Sequence, residues 1–186
     1  MKTLNFLKTF INIIFASFVL LFILGILGLI SLFFFTNYLP PIFQGYGMLF
    51  NQNFGWGVYL VPLSYVLGFI LFTISIYYLK KCIKPFQESN FYSEVVIKNL
   101  RRVGYLFILI STSTVLIRII AVIYIKTMTN GIVLNFKYSG LQLINSLVST
   151  VEISSIFLLI IGLFFLLFSK AFENAKSLKQ ENDLTI

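Results

Sequence analysis

Two ionisable residues, Arg118 and Glu152, lie inside long apolar stretches of this sequence. A charge at the centre of a membrane helix costs roughly 2.5–3.5 kcal/mol, so such a residue marks either a functional site or a structural contact. Counted at about 1.5 Å per residue, both lie at a similar depth, about 8–10 Å from the same edge of their stretches. We therefore predict that Arg118 and Glu152 form a charge pair. The alternative is that each side chain extends separately to the nearer membrane surface.

Small and hydroxylated residues share a helical face with each of these two charges. The predicted contact stripe consists of Ser111, Thr114, Ser149 and Ser155. Such residues mark helix–helix contacts in lipid, because hydrogen bonds and close approach replace the hydrophobic effect there. We predict that the two faces meet. The charge pair would then be either a structural latch or a site for a ligand, an ion or a proton.

Residue types needed for most enzyme chemistry are missing from the sequence. It has no His and a single Cys, Cys82, which excludes a disulfide within the chain, a His/Cys metal site and a histidine base. There is no Gly-rich phosphate loop and no nucleophile elbow. We therefore expect no enzymatic activity, no cofactor and no metal.

The elements that must position these residues follow from composition. The chain is 59% hydrophobic and only 11% charged, whereas a soluble domain is about one quarter charged. Apolar runs of about 18 residues or more are long enough to cross a bilayer, and the backbone there must form helices. Four such runs occur, at 10–35, 58–79, 104–125 and 147–168. They predict an all-α integral membrane protein with one domain, residues 1–186, and four transmembrane helices arranged as two hairpins.

The orientation of these helices follows from the positions of the 14 Lys and Arg residues. Most lie on one side: Lys2 and Lys8 before the first span, Lys80, Lys81, Lys84, Lys98, Arg101 and Arg102 between the second and third, and Lys170, Lys176 and Lys179 after the fourth. Only Lys126 and Lys137 lie on the other side. Because cytoplasmic loops are enriched in cations, we expect both termini, the loop 80–103 and the tail 169–186 to be cytoplasmic. A composition rich in Phe, Ile, Asn and Lys indicates an AT-rich bacterial genome, and we expect the membrane to be the bacterial cytoplasmic membrane.

The cytoplasmic loop is expected to turn at Pro85, after which Ser93 caps a helix that continues into the third span. Glu94 and Lys98 have the favourable i,i+4 order for an ion pair. One face of this helix carries the cations Lys98, Arg101 and Arg102. That face would contact lipid headgroups or an acidic partner, unless it is a solvated flank that only sets the topology.

The tail is expected to extend the fourth helix by two or three turns and to fray around residues 182–183. It ends in Asp183, Leu184, Thr185 and Ile186, where two apolar side chains lie beside acidic groups. Such an ending can dock onto a partner, although a solvated terminus has the same appearance.

Several cytoplasmic motifs carry a family resemblance: Pro85-Phe86, the run Asn99-Leu100-Arg101-Arg102-Val103-Gly104, and the ending from Leu178 to Ile186. With these motifs the chain resembles the bacterial family called domain of unknown function 2975, small four-span membrane proteins often encoded beside a helix-turn-helix regulator. No activity is established for the family, and the resemblance implies a partner without identifying it. Our leading hypothesis is a regulatory or sensor protein that binds such a regulator through its loop and tail, without contacting nucleic acid itself. Alternatives are a small transporter, export or immunity subunit that uses the Arg118/Glu152 pair, and a structural membrane subunit.

Overall fold

The computed structural model describes residues 2–35, 38, 57–88, 90–129 and 152–184. These residues form four long α-helices, α1 (Lys2–Phe34), α2 (Gly57–Gln87), α3 (Glu94–Thr129) and α4 (Glu152–Leu184). Each helix contains a segment long and apolar enough to cross a membrane: Leu4–Gly28, Pro62–Gln87, Glu94–Ile120 and Ser154–Leu184. Over the residues that the structure describes, the prediction of an all-helical fold with four candidate spans is confirmed.

Neighbouring helices run in opposite directions, and α3 lies between α2 and α4. Aromatic contacts link the three helices. Phe107 on α3 stacks on Phe72 of α2 with 5.6 Å between ring centroids, and it meets Phe165 of α4 edge-to-face at 5.8 Å. Val103 and Ile110 complete this buried cluster. The first helix, α1, packs mainly on α2. We call the end of the bundle where α1 and α3 begin and α2 and α4 end the basic end.

The predicted turn at Pro85 is wrong, because α2 continues through this proline to Gln87. A proline in the last turn of a helix removes one backbone hydrogen bond. The loss is offset by packing, since Cys82 and Phe86 on either side of Pro85 belong to an apolar cluster with α3. The connection to α3 is therefore short. The amide of Asn90 closes it by donating to the Pro85 carbonyl oxygen at 2.9 Å.

The predicted start of α3 is confirmed. The amide of Val96 donates to Ser93 Oγ at 3.3 Å, so Ser93 is the N-cap. Glu94 and Lys98 form the expected ion pair at 3.2 Å. From this cap the helix runs without a break to Thr129.

The fourth helix extends further toward the basic end than expected. Helical extension beyond residue 168 is confirmed, but fraying around residues 182–183 is wrong because α4 stays helical to Leu184. Contacts with neighbouring helices stabilise the extension: Phe172 packs on the Cys82 cluster, and Lys176 binds Glu94 at 3.0 Å. A prediction based on local polarity alone does not include these tertiary contacts.

Candidate functional site

The contact between α3 and α4 is built from small residues. The hydroxyl of Ser111 donates to the carbonyl oxygen of Ser155 at 2.7 Å, and both side chains are only 2% exposed. Thr114, also in the predicted stripe, is half-buried and donates to the Ile110 carbonyl of its own helix. Ser149 lies outside the described residues.

Two glycines bring the same pair of helices into backbone contact nearer the basic end. A Cβ atom added to Gly104 would lie 2.9 Å from the Gly162 carbonyl oxygen, and one added to Gly162 would lie 3.0 Å from the Gly104 oxygen. Beyond them, the Ser169 hydroxyl donates to the Ile97 carbonyl at 2.9 Å. Gly104 and Ser169 are therefore contact residues that the predicted stripe does not include.

These three contacts form a ladder with a constant register. Residues 97, 104 and 111 of α3 lie opposite residues 169, 162 and 155 of α4, so successive contacts are seven residues apart on both helices. A seven-residue repeat is typical of helices that cross at a small left-handed angle and stay in contact over several turns. The next position of the repeat on α3 is Arg118. The ladder therefore leads from the basic end directly to the intramembrane charge.

Arg118 is buried, with 7% of its surface exposed. Its Nη2 atom donates to the hydroxyl of Tyr65 on α2 at 3.5 Å, the long limit of a hydrogen bond. The predicted site does not include Tyr65. Its position in the sequence could have identified it as unusual: Tyr65 lies seven residues inside the second apolar run, whereas membrane tyrosines usually lie at the interfaces.

The predicted partner, Glu152, is the first residue of α4, and its side chain lies outside the described part of the chain. Extending the register of the ladder puts the Glu152 backbone level with Thr114, one helical turn from Arg118 toward the basic end. Helical side chains tilt toward the N-terminus of their own helix, which for Arg118 is toward this same level. The charge pair stays a prediction, and the register supports it.

Cations of the predicted docking face at the basic end are occupied by intramolecular contacts. Glu94 binds Lys98 at 3.2 Å and Lys176 at 3.0 Å. Glu173 binds Arg101 at 3.0 Å and Lys170 at 2.9 Å. These two carboxylates therefore tie the start of α3 to the extension of α4.

Arg102, the third cation of that face, contacts a different helix. Its guanidinium carbon lies 5.2 Å from the centroid of the Tyr78 ring on α2, within range of a cation–π interaction. Arg101 thus joins α3 to α4, Arg102 joins α3 to α2, and Lys98 pairs with Glu94 within α3. They are not a uniform basic surface turned away from the protein.

The end of α4 differs from this ion-paired region. All residues from 177 to 184 are exposed, including Asp183, and Leu184 is 86% exposed. Thr185 and Ile186 lie outside the described residues. Eight helical residues extend about 12 Å, so the tail protrudes beyond the last ion pair between α3 and α4.

No group of three or more His, Cys, Asp or Glu side chains comes together in the part of the chain that the structure describes. Cys82 is 2% exposed and packs with Val96 and Leu100 in an apolar cluster. The described residues therefore offer interhelical polar contacts and a protruding tail as the features on which a function can be built.

Comparison with known proteins gives one finding. No curated protein and no solved structure matches the chain. A family model described as "Protein of unknown function (DUF2975)" matches residues 32–186, which is well over half of the sequence. This match includes the motifs that carry the predicted resemblance, and it extends from the end of α1 through α4. The chain therefore belongs to the DUF2975 family of proteins of unknown function.

Proposed function

We propose that the protein crosses the bacterial cytoplasmic membrane four times, as two helical hairpins with both termini in the cytoplasm. The support is the position of the cations. Lys8 near the start of α1, Lys84 near the end of α2, Arg101 near the start of α3 and Lys176 near the end of α4 all lie at the basic end. Because the helices alternate in direction, one end of the bundle holds nearly all the basic flanks, which favours a cytoplasmic location for that end.

Reporter fusions at residues 51, 89 and 131 and at the C-terminus test this orientation. We expect the fusions at Ser89 and at the C-terminus to be active as cytoplasmic reporters, and those at Asn51 and Gly131 to be active only as external reporters. Opposite locations for Ser89 and the C-terminus would rule the topology out. A paired cytoplasmic and external reporter at each site serves as the control for expression.

For function, the end of α4 supports a regulatory protein that holds a cytoplasmic helix-turn-helix regulator at the membrane. The observation that carries this proposal is the protruding helical tail, with Leu184 86% exposed at its end. An exposed apolar side chain on a protruding helix end is an anchor that a partner's groove can bury. Leu184 and Ile186 would be the anchors.

The ion pairs favour a role for the basic loop other than docking. Lys98 and Arg101 bind Glu94 and Glu173 within the protein, so they are partly satisfied before any partner arrives. We therefore place the main docking surface on the tail. The pairs Arg101–Glu173 and Glu94–Lys176 would set its position by holding the extension of α4 against α3. A stimulus that alters this contact would move the docking surface, which suits a sensor.

Truncation after Gln180 is expected to lower recovery of the partner from native membranes at least about tenfold. Burying one leucine side chain contributes about 1.5–3 kcal/mol, and about 1.4 kcal/mol corresponds to a tenfold change in affinity. The measurement is affinity purification in mild detergent, with the partner quantified relative to the membrane protein.

Point variants in the same protruding segment give a matched control. Leu184→Gln should reproduce the loss caused by truncation, whereas Leu178→Gln, which alters another exposed leucine of α4, should leave recovery unchanged. Equal thermal stability of all variants shows that the bundle is intact. Equal recovery from the full-length and truncated chains would exclude the tail as the docking surface.

A second candidate function, a small transporter, export or immunity subunit, is favoured by the burial of Arg118 beside Tyr65. A buried cation with a tyrosine hydroxyl next to it is a group that an anionic ligand or a proton pathway can use. Under this proposal Tyr65→Phe changes uptake or resistance and leaves partner recovery intact. Under the regulatory proposal, the tail truncation lowers partner recovery and leaves uptake or resistance unchanged.

A further inference from the structure

A cleft of about 500 Å³ opens between α1 and α2 at the basic end, outside the site described above. It is lined by Lys8, Asn12, Lys80, Ile83, Lys84, Gln87 and Glu88. Three of these seven residues are lysines and one is a glutamate, so the cleft is electropositive. Side chains from two helices face the same space, which is the arrangement needed to surround an anion.

The side-chain amides of Gln87 and Asn12 distinguish this cleft from an accidental gap between the helices. Gln87 Nε2 donates to Asn5 Oδ1 at 2.9 Å and joins the ends of α1 and α2 across the mouth of the cleft. Among the described residues, Asn12 Oδ1 is buried and lacks a hydrogen-bond partner. A buried acceptor without a partner is costly, and Asn12 lines the cleft, so rotation of its amide toward a hydroxyl donor bound there would relieve this cost.

The surroundings of the cleft indicate a lipid as the source of the anion. Lys8 lies just before the apolar part of α1 begins, and Lys80 and Lys84 lie just after the apolar run of α2 ends. Apolar side chains of α1 are also exposed at this depth, since Phe10 and Ile13 are 50% and 59% exposed. A phospholipid places its phosphate at this junction and its acyl chains along such apolar side chains.

We propose that this cleft binds the headgroup of an anionic phospholipid of the phosphatidylglycerol type, from the leaflet that faces the basic end. The Lys8, Lys80 and Lys84 ammonium groups bind the phosphate, and the Asn12 amide turns toward the cleft so that its Oδ1 accepts from a glycerol hydroxyl. A zwitterionic headgroup is disfavoured, because its own ammonium would enter an electropositive cleft. The inference rests on the proposed membrane location and does not depend on the regulatory partner.

The test is a titration of the purified full-length chain in mild detergent with phosphatidylglycerol, phosphatidylethanolamine or inorganic phosphate. Bound lipid is counted by native mass spectrometry. We expect phosphatidylglycerol to bind, phosphatidylethanolamine to bind at least about tenfold more weakly, and inorganic phosphate at millimolar concentration not to displace the lipid. Equal binding of both lipids would overturn the proposal. Displacement by phosphate would also overturn it and assign the cleft to a soluble anion.

Charge-matched variants locate the binding site. Lys8→Gln/Lys84→Gln should weaken phosphatidylglycerol binding at least about tenfold, whereas Lys81→Gln/Lys179→Gln removes the same charge outside the cleft and should not. Lys84→Arg should retain binding, so a loss in the Gln variants that also appears in Lys84→Arg would indicate damage to the fold. Equal weakening in both double variants would show non-specific attraction and overturn the proposal. The reporter fusions test the topology separately, so a failure of the lipid-binding proposal is distinguishable from a failure of the proposed topology.

Discussion

Replacing Glu152 by leucine is expected to destabilise the protein by about 3–5 kcal/mol, because the buried charge of Arg118 loses its predicted partner. Arg118→Leu should destabilise by a similar amount, since the predicted pair would then leave the Glu152 carboxylate without its cation. The double variant should be clearly more stable than the sum of the two single effects predicts. Unfolding of the detergent-solubilised protein, followed by circular dichroism, measures all three.

Two further variants provide comparisons for this double-mutant cycle. Thr112→Leu changes an exposed residue on α3 and should alter stability by no more than about 0.5 kcal/mol. Tyr65→Phe removes one long hydrogen bond from Arg118 and should destabilise less than either loss of charge. Additive effects of Arg118→Leu and Glu152→Leu would exclude the pair and favour separate positions for the two charges.

Gly104→Ala is expected to destabilise the bundle by about 1–3 kcal/mol through overpacking. The added Cβ would lie 2.9 Å from the Gly162 carbonyl oxygen and 2.7 Å from Leu166 Cδ2. The leucine can rotate away, but the backbone oxygen can move only if α3 and α4 separate. That separation would lengthen the 2.7 Å hydrogen bond from Ser111 to Ser155. The same unfolding assay measures the effect.

Gly28→Ala is the matched control, because a Cβ atom there meets nothing within 4 Å. Alanine is the better helix former, so this change should be neutral or stabilise α1 by up to about 1 kcal/mol. If Gly104→Ala and Gly28→Ala had the same effect, the close approach of α3 and α4 would be wrong.

Some features of the fold follow from local sequence patterns. The four candidate spans follow from apolar length, and Ser93 follows from its capping position before Glu94. The importance of Ser111 and Ser155 follows from their residue type and helical spacing, because few other groups can replace the hydrophobic effect between helices in lipid. In each of these cases a short segment contains the physical cause.

Other features depend on contacts between distant segments and escape a local analysis. Pro85 predicts a turn by itself, but packing of Cys82 and Phe86 keeps α2 helical past it. The same is true of the ion pair between Glu94 and Lys176, 82 residues apart in sequence. The seven-residue ladder is visible in sequence only once the register of α3 and α4 is known.

The peripheral position of α1 has a consequence for how the bundle behaves within the plane of the bilayer. Its attachment to α2 depends largely on a few ring contacts, such as Phe18 with Phe69 at 5.3 Å, and none of its described side chains is fully buried. Among the described helices, the contact between α1 and α2 is therefore the weakest. We expect α1 to detach laterally before the other three helices separate.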